Sequence, residues 1–337
     1  MSTLFHPFQK GILNWPETGQ SVLFMHAQTH VDLGLLGPSA ALYQPFKPYA
    51  MDLESLGHSA ASGIPDGSYD MVLALMPKNK DEAAYIAARA LLMLRPGGLF
   101  VCAADNKAGG GRLKKMLQNF GLAGVQDDSK NKARVCWARV DSYDEKAVKS
   151  AQKAGDKQAV LGGDFISQPG IFGWNKIDKG SEILLRFLPD NLKGRGADFG
   201  CGYGYLSAHI VKTHGGVESL LAADADARAL ECCAETLSKI AAQTRCEFLW
   251  RDLTRDISGL ENLDFIVMNP PFHEGKATDI SIGKTFIYNA YKALKPGGAL
   301  YMVANAHLPY EGVLDDQFSA VDKIFEGEGF KIFAAKK

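Results

Sequence analysis

Short apolar runs alternate with amphipathic stretches along this chain. An acidic residue opens an apolar run within residues 69–77 and again within residues 263–271, and proline ends both runs. Apolar positions at helical spacing follow, in residues 83–94 and in residues 285–294. Strands that alternate with amphipathic helices are typical of parallel, doubly wound sheets. The pattern therefore predicts an α/β fold with mainly parallel sheets.

The two apolar runs belong to a longer internal repeat. A Pro-Gly-Gly segment follows the predicted helix in both places, at residues 96–98 and 296–298, which lie 200 residues apart. Proline cannot continue a helix and glycine tolerates the turn, so each segment predicts a helix end followed by a strand. The matching order favours duplication of one α/β domain; chance similarity between two α/β units is the alternative.

A polar segment separates the two copies. Residues 141–160 are rich in charged and small side chains, which predicts a connection rather than a packed element. A length of 337 residues accommodates two domains of ordinary size. We therefore predict a first domain at residues 1–155 and a second at residues 156–337.

The composition excludes several classes of protein. Hydrophobic residues make up 46% of the chain, which excludes wholesale disorder. No apolar run approaches the ~18 residues of a membrane span, and the start of the chain does not look like a secretory signal. The six cysteines form no C-x-x-C pair, which favours reduced thiols over disulfides or zinc ligands. We expect a cytoplasmic protein without a metal or a membrane partner.

The charge is unevenly distributed. Residues 1–160 hold 18 basic and 15 acidic residues, whereas residues 161–337 hold 19 and 23. Residues 107–139 alone hold eight basic and two acidic residues. Such a local surplus can hold a polyanion although the whole chain has a net charge of only −1. A solvated helix face is the alternative interpretation.

The most informative segment for chemistry is a glycine-rich loop in the second half. Gly200, Gly202 and Gly204 follow a predicted strand and precede a predicted helix that begins near Tyr205. Glycines allow a ligand to lie against bare backbone. Asp198 precedes the loop, and a carboxylate there repels a pyrophosphate. The loop therefore favours a cationic ligand such as S-adenosylmethionine.

Two acidic residues follow the next two predicted strands. Asp224 is placed to accept hydrogen bonds from ribose hydroxyls, with Asp226 as a rival for that role. Asp252 is placed to accept from an adenine amino group. For either position, a helix N-cap is an equally good interpretation.

The fourth strand of the second copy ends in Asn269-Pro270-Pro271-Phe272-His273. Ligands of open parallel sheets bind beyond the carboxyl ends of the strands. The Asn269 side-chain oxygen and the Pro270 carbonyl can accept the two hydrogens of an exocyclic amine, and Phe272 can stack on a planar base. We predict catalytic roles for Asn269, Pro270 and Phe272. His273 is a further candidate for substrate contact, although a structural role is the usual one for a loop histidine.

The glycine loop and the Asn-Pro-Pro-Phe segment together resemble the Rossmann-type methyltransferases that modify amino groups of nucleobases. The duplication, with residues 168–173 and 178–181, narrows the resemblance to bacterial ribosomal RNA guanine-N2 methyltransferases, most closely those of the small-subunit (16S) RNA. The resemblance spans nearly the whole chain and is most specific over residues 165–310. It implies two tandem Rossmann-like methyltransferase domains with a degenerate N-terminal copy. It also implies methyl transfer from S-adenosylmethionine to the N2 amine of one guanine.

The resemblance further implies roles for individual residues. These roles place Asp198, Gly200, Gly202 and Gly204 at the methionine part of the cofactor, Asp224 at its ribose, Asp252 at its adenine, Phe172 on a loop near it, and Asn269 through Phe272 at the target base, with Asn269 also bordering the cofactor.

The first copy departs from this pattern. It has Leu75-Met76-Pro77-Lys78 where the second copy has the Asn-Pro-Pro-Phe segment, and residues 22–27 contain no glycine loop. We expect this copy to bind no cofactor and instead to hold RNA phosphates. The candidate RNA-binding residues, all within the basic stretch, are Lys107, Arg112, Lys114 and Lys115.

Several functions remain as alternatives. A large-subunit RNA guanine, adenine N6 and a protein glutamine are other amine targets of this scaffold, and a non-catalytic RNA-binding assembly factor belongs to a different class. The basic stretch and the duplication argue against a glutamine target. Asp198, the glycine loop and Asn269 together argue against the non-catalytic factor. We expect a monomer that acts on ribosomal RNA or the small ribosomal subunit.

Overall fold

The computed structural model describes residues 2–240, 243–271 and 277–337, and for residues 277–279 it describes the backbone alone. The chain divides into two compact units. The first comprises Met1–Lys157 with Gln168–Gly170, and the second comprises Gln158–Ser167 with Ile171–Lys337.

The helices of the described residues fall in both units. They are α1 (His6–Gln9), α2 (Lys47–Ser55), α3 (Lys80–Met93), α4 (Leu113–Asn119), α5 (Glu145–Gly155), α6 (Lys179–Arg186), α7 (Tyr205–Thr213), α8 (Ala227–Ser238), α9 (Ala277–Ala293) and α10 (Glu311–Gln317). Short 3₁₀ turns lie at Leu33–Leu36, Asn106–Ala108, Gly110–Arg112 and Leu161–Gly163.

The strands likewise fall in both units. They are β1 (Val22–Met25), β2 (Ala41–Tyr43), β3 (Tyr69–Leu75), β4 (Leu94–Asp105), β5 (Gln126–Lys130), β6 (Ala133–Val140), β7 (Gln158–Val160), β8 (Phe165–Ser167), β9 (Lys193–Phe199), β10 (Gly216–Asp224), β11 (Arg245–Trp250), β12 (Leu263–Met268), β13 (Leu294–Asn305), β14 (Ala320–Gly327) and β15 (Phe330–Lys336).

Each unit is built on a mixed, mostly parallel sheet. The first sheet has the order β2-β1-β3-β4-β6-β5, in which β4-β6 and β6-β5 are the antiparallel pairs. The second has the order β11-β10-β9-β12-β13-β15-β14, and β13-β15 and β15-β14 are antiparallel. The predicted α/β class and the mainly parallel sheets are confirmed.

Apolar strands explain why both faces of these sheets are covered. Val72, Leu73 and Ala74 are all fully buried although neighbouring side chains point to opposite faces. Ile266 and Val267 show the same continuous burial in the second sheet. A strand buried on both faces needs helices on both sides, which is the doubly wound arrangement.

The predicted repeat is present in the structure with one adjustment. Helices α3 and α9 end at Met93 and Ala293, and β4 and β13 begin at the next residue. The Pro-Gly-Gly segments therefore lie at the start of the strands, where both pairings shift register. Gly97 and Gly297 have φ values of 77° and 78°, so the bulge requires glycine in both copies.

The expectation of a linker at residues 141–160 was wrong over most of its length. Helix α5 occupies it, with the Asp144 side chain accepting a hydrogen bond from the Ala147 amide at 3.0 Å. Val148 is fully buried, and a Cβ on Gly155 would lie 2.2 Å from the Cβ of Tyr85 on α3. Small side chains here allow close helix packing rather than flexibility.

No helix among the described residues is long and apolar enough to cross a membrane. The six cysteines are free thiols, and five of them are buried. The part of the chain that the structure describes holds no group of three or more His, Cys, Asp or Glu residues placed to bind a metal ion.

Candidate active site

The glycine loop connects β9 to α7 at the carboxyl ends of the parallel strands of the second sheet, called its carboxyl edge below. Gly200 and Gly202 have φ values of 78° and 55°, a region that favours glycine. The Gly200 amide donates a hydrogen bond to the Ala223 carbonyl at 2.8 Å, which ties the loop to the end of β10. A Cβ on Gly202 would meet no atom within 4 Å. The loop therefore presents open backbone, as a bound ligand would require.

Gly204 packs against α8, and its contact with the cofactor stays a prediction. Its φ is 92°, and a Cβ there would lie 2.7 Å from the Cys233 sulfur on α8. Gly204 does not line the cleft beside the loop. Because Gly204 has no side chain, α7 and α8 can pack closely. This packing fixes the position of the helix that follows the glycine loop.

Asp198 lies fully buried near the end of β9. The Ser207 hydroxyl on α7 donates to its Oδ2 at 2.6 Å, whereas its Oδ1 has no partner among the described residues. Burial is the main reason that the pKa of Asp198 is raised to about 7, and the neighbouring Asp224 carboxylate adds to the rise. A cation bound nearby would favour the ionised form.

Asp224 ends β10 and supports the glycine loop directly. Its Oδ2 accepts from the Gly202 amide and its Oδ1 from the Asp226 amide, both at 2.8 Å. Burial raises the pKa of Asp224 to about 6 despite these bonds. The Ala225 amide donates to this carboxylate as well, which leaves about one of its four lone pairs for a hydroxyl donor. Its rival Asp226 caps α8 and forms an ion pair with Arg228.

Asp252 is buried in a turn after β11. The Thr254 amide and hydroxyl donate to its Oδ1 at 3.0 and 2.6 Å, and its Oδ2 lies 3.3 Å from the Arg255 guanidinium. Asp252 does not line the cleft beside the glycine loop. The structure thus shows the turn-forming role, and contact with an adenine stays a prediction.

Asn269 follows β12 and faces the glycine loop across the cleft. Its Nδ2 donates to the Asp178 Oδ2 at 2.7 Å and to the Ser181 hydroxyl at 2.9 Å. Asp178 is the N-cap of α6 and accepts from the Ser181 amide at 2.9 Å. Pro270 is buried beside Asn269. The predicted residues Phe272 and His273 lie outside the described residues.

One cleft brings the glycine loop and Asn269 together. The open space in and in front of it, solvent included, is about 450 Å³. It is lined by Phe172, Gly173, Asp178, Ser181, Gly200, Cys201, Gly202, Tyr203, Tyr205, Leu206 and Asn269. The Tyr203 hydroxyl donates to the Lys176 carbonyl at 3.1 Å and so anchors the loop that carries Phe172. The Phe172 side chain is 63% exposed at the rim.

Two acids behind the glycine loop, Asp198 and Asp224, fit S-adenosylmethionine by their chemistry, although neither lines the cleft itself. Asp198 offers a buried carboxylate oxygen without a partner among the described residues, and Asp224 lies close enough to affect its titration. Both acids favour a cationic ligand over a phosphate. The open backbone at Gly202 leaves room for that ligand. Sequence reasoning used residues 178–181 to narrow the family resemblance but assigned no individual role to Asp178, Ser181 or Tyr203. The Asp-x-x-Ser pattern is also typical of a helix start.

The basic residues of the first unit lie partly in ion pairs. Lys107, Arg112 and Lys115 are exposed. Lys114 is half-buried, and its Nζ lies 2.8 Å from Asp127, which also pairs with Arg134. Asp127 therefore neutralises part of the charge of the basic stretch, Lys114 included, whereas Asp128 pairs with Lys10 outside it.

Comparison with known proteins decides the family. Residues 162–334 match the family model of the methyltransferase small domain, and residues 40–152 match that of its N-terminal domain. The ribosomal RNA small subunit methyltransferase C of Shewanella loihica is 33% identical over 80% of this chain and 78% of its own length. The chain belongs to the ribosomal RNA small subunit methyltransferase C family. The member from Escherichia coli strain K12 is 31% identical over 79% of this chain and 75% of its own length.

A solved structure supports the fold of this methyltransferase. The 16S rRNA N2 methyltransferase of T. thermophilus, determined in complex with AdoMet and guanosine, superposes with a TM-score of 0.78 at 23% identity. The match covers 99% of this chain and 91% of that one. The tandem arrangement predicted from the repeat is thus confirmed at the level of the fold.

Proposed function

We propose that this protein transfers a methyl group from S-adenosylmethionine to the N2 amine of a guanine in 16S ribosomal RNA. The observation that carries the proposal is a cleft in which Asn269 lies opposite Gly200 and Gly202. The cofactor, when bound, supplies an electrophilic methyl group. Membership of the ribosomal RNA small subunit methyltransferase C family supports the choice of RNA.

The residues of the chain act mainly by positioning. The Asn269 Oδ1 and the Pro270 carbonyl accept the two hydrogens of the target amine, and so aim the nitrogen lone pair along the line of attack. Such an amine is a poor nucleophile, because its lone pair is delocalised into the ring. Holding it in line lowers the barrier without a strong base. Phe272 supplies the stacking surface in this proposal.

Transfer of a labelled methyl group tests this function. Unmodified 16S RNA, small subunits and 23S RNA are offered in parallel, and the products are identified by nucleoside analysis. We expect N2-methylguanosine from 16S RNA or small subunits. Asn269→Ala should retain cofactor affinity and lose at least ~100-fold in the rate of transfer. N6-methyladenosine, or a product only from 23S RNA, would contradict the proposed substrate.

We further propose that the first unit holds RNA phosphates and carries out no chemistry. Lys107 and Arg112 lie in the segment after β4, and the Asn106 amide donates to the Lys132 carbonyl at 2.9 Å. This contact places the β5-β6 turn, with Lys132 exposed, beside that segment. Lys114 contributes less to this surface than the sequence suggested, because Asp127 neutralises it.

The proposed substrate also indicates where in the cell the protein works. A ribosomal RNA enzyme works where ribosomes are assembled, which in bacteria is the cytoplasm. One chain carries both the catalytic residues and the basic surface, so we propose a monomer. Sedimentation of the purified protein with and without RNA tests that state.

A further inference from the structure

The amide of Asn269 is held in one orientation by two acceptors. Its Nδ2 carries two hydrogens, and it has two partners, the Asp178 carboxylate at 2.7 Å and the Ser181 hydroxyl at 2.9 Å. Both hydrogens are therefore used. The Oδ1 atom is the polar group of this side chain that remains for a substrate.

The local structure prevents the amide from turning over. A carboxylate only accepts hydrogen bonds, so a reversed amide would place Oδ1 against Asp178 and lose that bond. Asp178 is itself fixed, because its Oδ2 also accepts from the Ser181 amide at 2.9 Å. Gly180 leaves space for this arrangement: a Cβ there would lie 3.2 Å from the Asp178 Oδ2 and 3.0 Å from Phe330.

We infer that Asp178 and Ser181 are positioning residues that make this site selective for an amine over a carbonyl. The inference rests on the proposed function and deepens it. Guanine carries an N2 amine and an O6 carbonyl on its Watson–Crick edge. An acceptor at Asn269 binds the amine, whereas O6 would meet Oδ1 with no hydrogen between the two oxygens. A freely turning amide would serve either group.

The test measures recognition of the amine directly. Guanosine and inosine differ by the N2 amine alone, so their binding is compared by NMR titration in the presence of S-adenosylhomocysteine. We expect the wild type to prefer guanosine about tenfold, the value of one well-made hydrogen bond. The double variant Asp178→Ala/Ser181→Ala should reduce the preference to the part that the Pro270 carbonyl supplies alone, and should lower kcat about 100-fold. The affinity for S-adenosylmethionine should change less than about threefold.

Three controls separate positioning from folding. Asp178→Asn keeps an oxygen for the Ser181 amide and the Asn269 Nδ2, so it should restore most of the preference and of kcat. Ser181→Ala removes one acceptor and leaves the helix cap, so its effect should be intermediate. Asp144→Ala removes an N-cap of the same kind from α5, and should lower the melting temperature without altering nucleoside preference.

The outcomes distinguish this inference from the proposed function. A double variant that folds and keeps the guanosine preference and kcat of the wild type overturns the inference alone. A wild type that methylates adenine instead overturns the proposed function. In that case adenosine and purine riboside replace guanosine and inosine, and the selectivity for an amine is tested with the same variants.

Discussion

The sheets of the two units have matching contacts at the amino ends of their parallel strands and different residues at the carboxyl ends. At the amino edge, Asp70 of β3 accepts from the Ser21 amide at 2.8 Å and pairs with Arg95. Asp264 of β12 accepts from the Arg195 amide at 2.8 Å and pairs with Lys295. Both basic partners belong to the segment that contains Pro-Gly-Gly.

The carboxyl edge is where the two units differ. The sheet register pairs Met25 with Ala74 in the first unit and Phe199 with Met268 in the second. His26 therefore stands where the second unit has Gly200, and Leu75 stands where it has Asn269. By the same register, the position of the buried Asp198 is occupied by Phe24.

Side chains fill the carboxyl edge of the first unit. The His26 Nδ1 lies 3.1 Å from the Leu75 carbonyl oxygen, and its ring lies 5.5 Å from that of Tyr43. The buried Gln44 donates to the Ala27 carbonyl at 2.7 Å. The fold thus depends on contacts that both units have, whereas chemistry needs the open backbone and the acceptors of the second unit alone.

The largest effect should come from giving the second unit the residue of the first. His26 has a φ of 53°, in the same left-handed region as Gly200 at 78°, so this backbone region can hold a histidine at the cost of some strain. Gly200→His should fold, fill the cleft and weaken S-adenosylmethionine binding at least ~100-fold in calorimetry. The matched variant His26→Gly should leave this affinity unchanged. Normal cofactor binding by Gly200→His would contradict the placement of the site.

Asp198→Asn should produce the next largest effect. Removal of the charge should weaken cofactor binding about tenfold, because a cation loses its partner. The pKa of Asp198 is raised to about 7, mainly by burial, and a bound cation favours ionisation. Wild-type affinity should therefore rise with pH up to about 7 and level off above it.

The asparagine variant provides the control for that titration. The dependence of affinity on pH should be much flatter in Asp198→Asn, since the raised pKa of Asp224 alone remains to act. Thermal melting should show a stable fold, because a neutral side chain costs less to bury than a charge. An unchanged pH profile in this variant would assign the titration to another group.

Local patterns allowed the sequence to predict the strand that ends in Asp198, the glycine loop and the strand that leads to Asn269. Long-range partners were not predictable, since Asp178 and Ser181 lie 91 and 88 residues from Asn269. The antiparallel strand pairs β5-β6 and β14-β15 were also not predicted. Strand β14 is mostly exposed or half-buried and has no continuous apolar run. Helix α5 was missed because its polar composition outweighed its apolar spacing.

The shared amino edge predicts matched losses of stability. The Ser21 amide and the Arg95 guanidinium lower the pKa of Asp70 to about 2. Asp70→Asn should therefore cost about 1–2 kcal/mol in the free energy of unfolding at neutral pH. The stabilisation is complete above the unfolded-state pKa of about 4 and is lost as the pH falls through about 2. Urea unfolding of the wild type and the variant at neutral pH and at a pH of about 2 measures the change in the free energy of unfolding.

Asp264→Asn is the counterpart in the second unit. Burial opposes ionisation there, yet Lys295 and the Arg195 amide hold the pKa of Asp264 below its ordinary value. A loss of similar size in the two variants supports a shared structural role for this edge. Asp70→Asn should leave cofactor affinity unchanged, and a large change would mean that the first unit takes part in cofactor binding.

The smallest effects should come from single cations of the first unit. Lys107→Ala and Arg112→Ala should each reduce the slope of log affinity against log salt by about 0.7–0.9, the value for one lost phosphate contact. Lys114→Ala should change the slope less, because Asp127 already neutralises that side chain. Filter binding of 16S RNA across a salt series measures all three slopes. If Lys114→Ala changed the slope most, RNA would have to displace Asp127 from Lys114, and the phosphate-binding surface would centre on α4 rather than on the segment after β4.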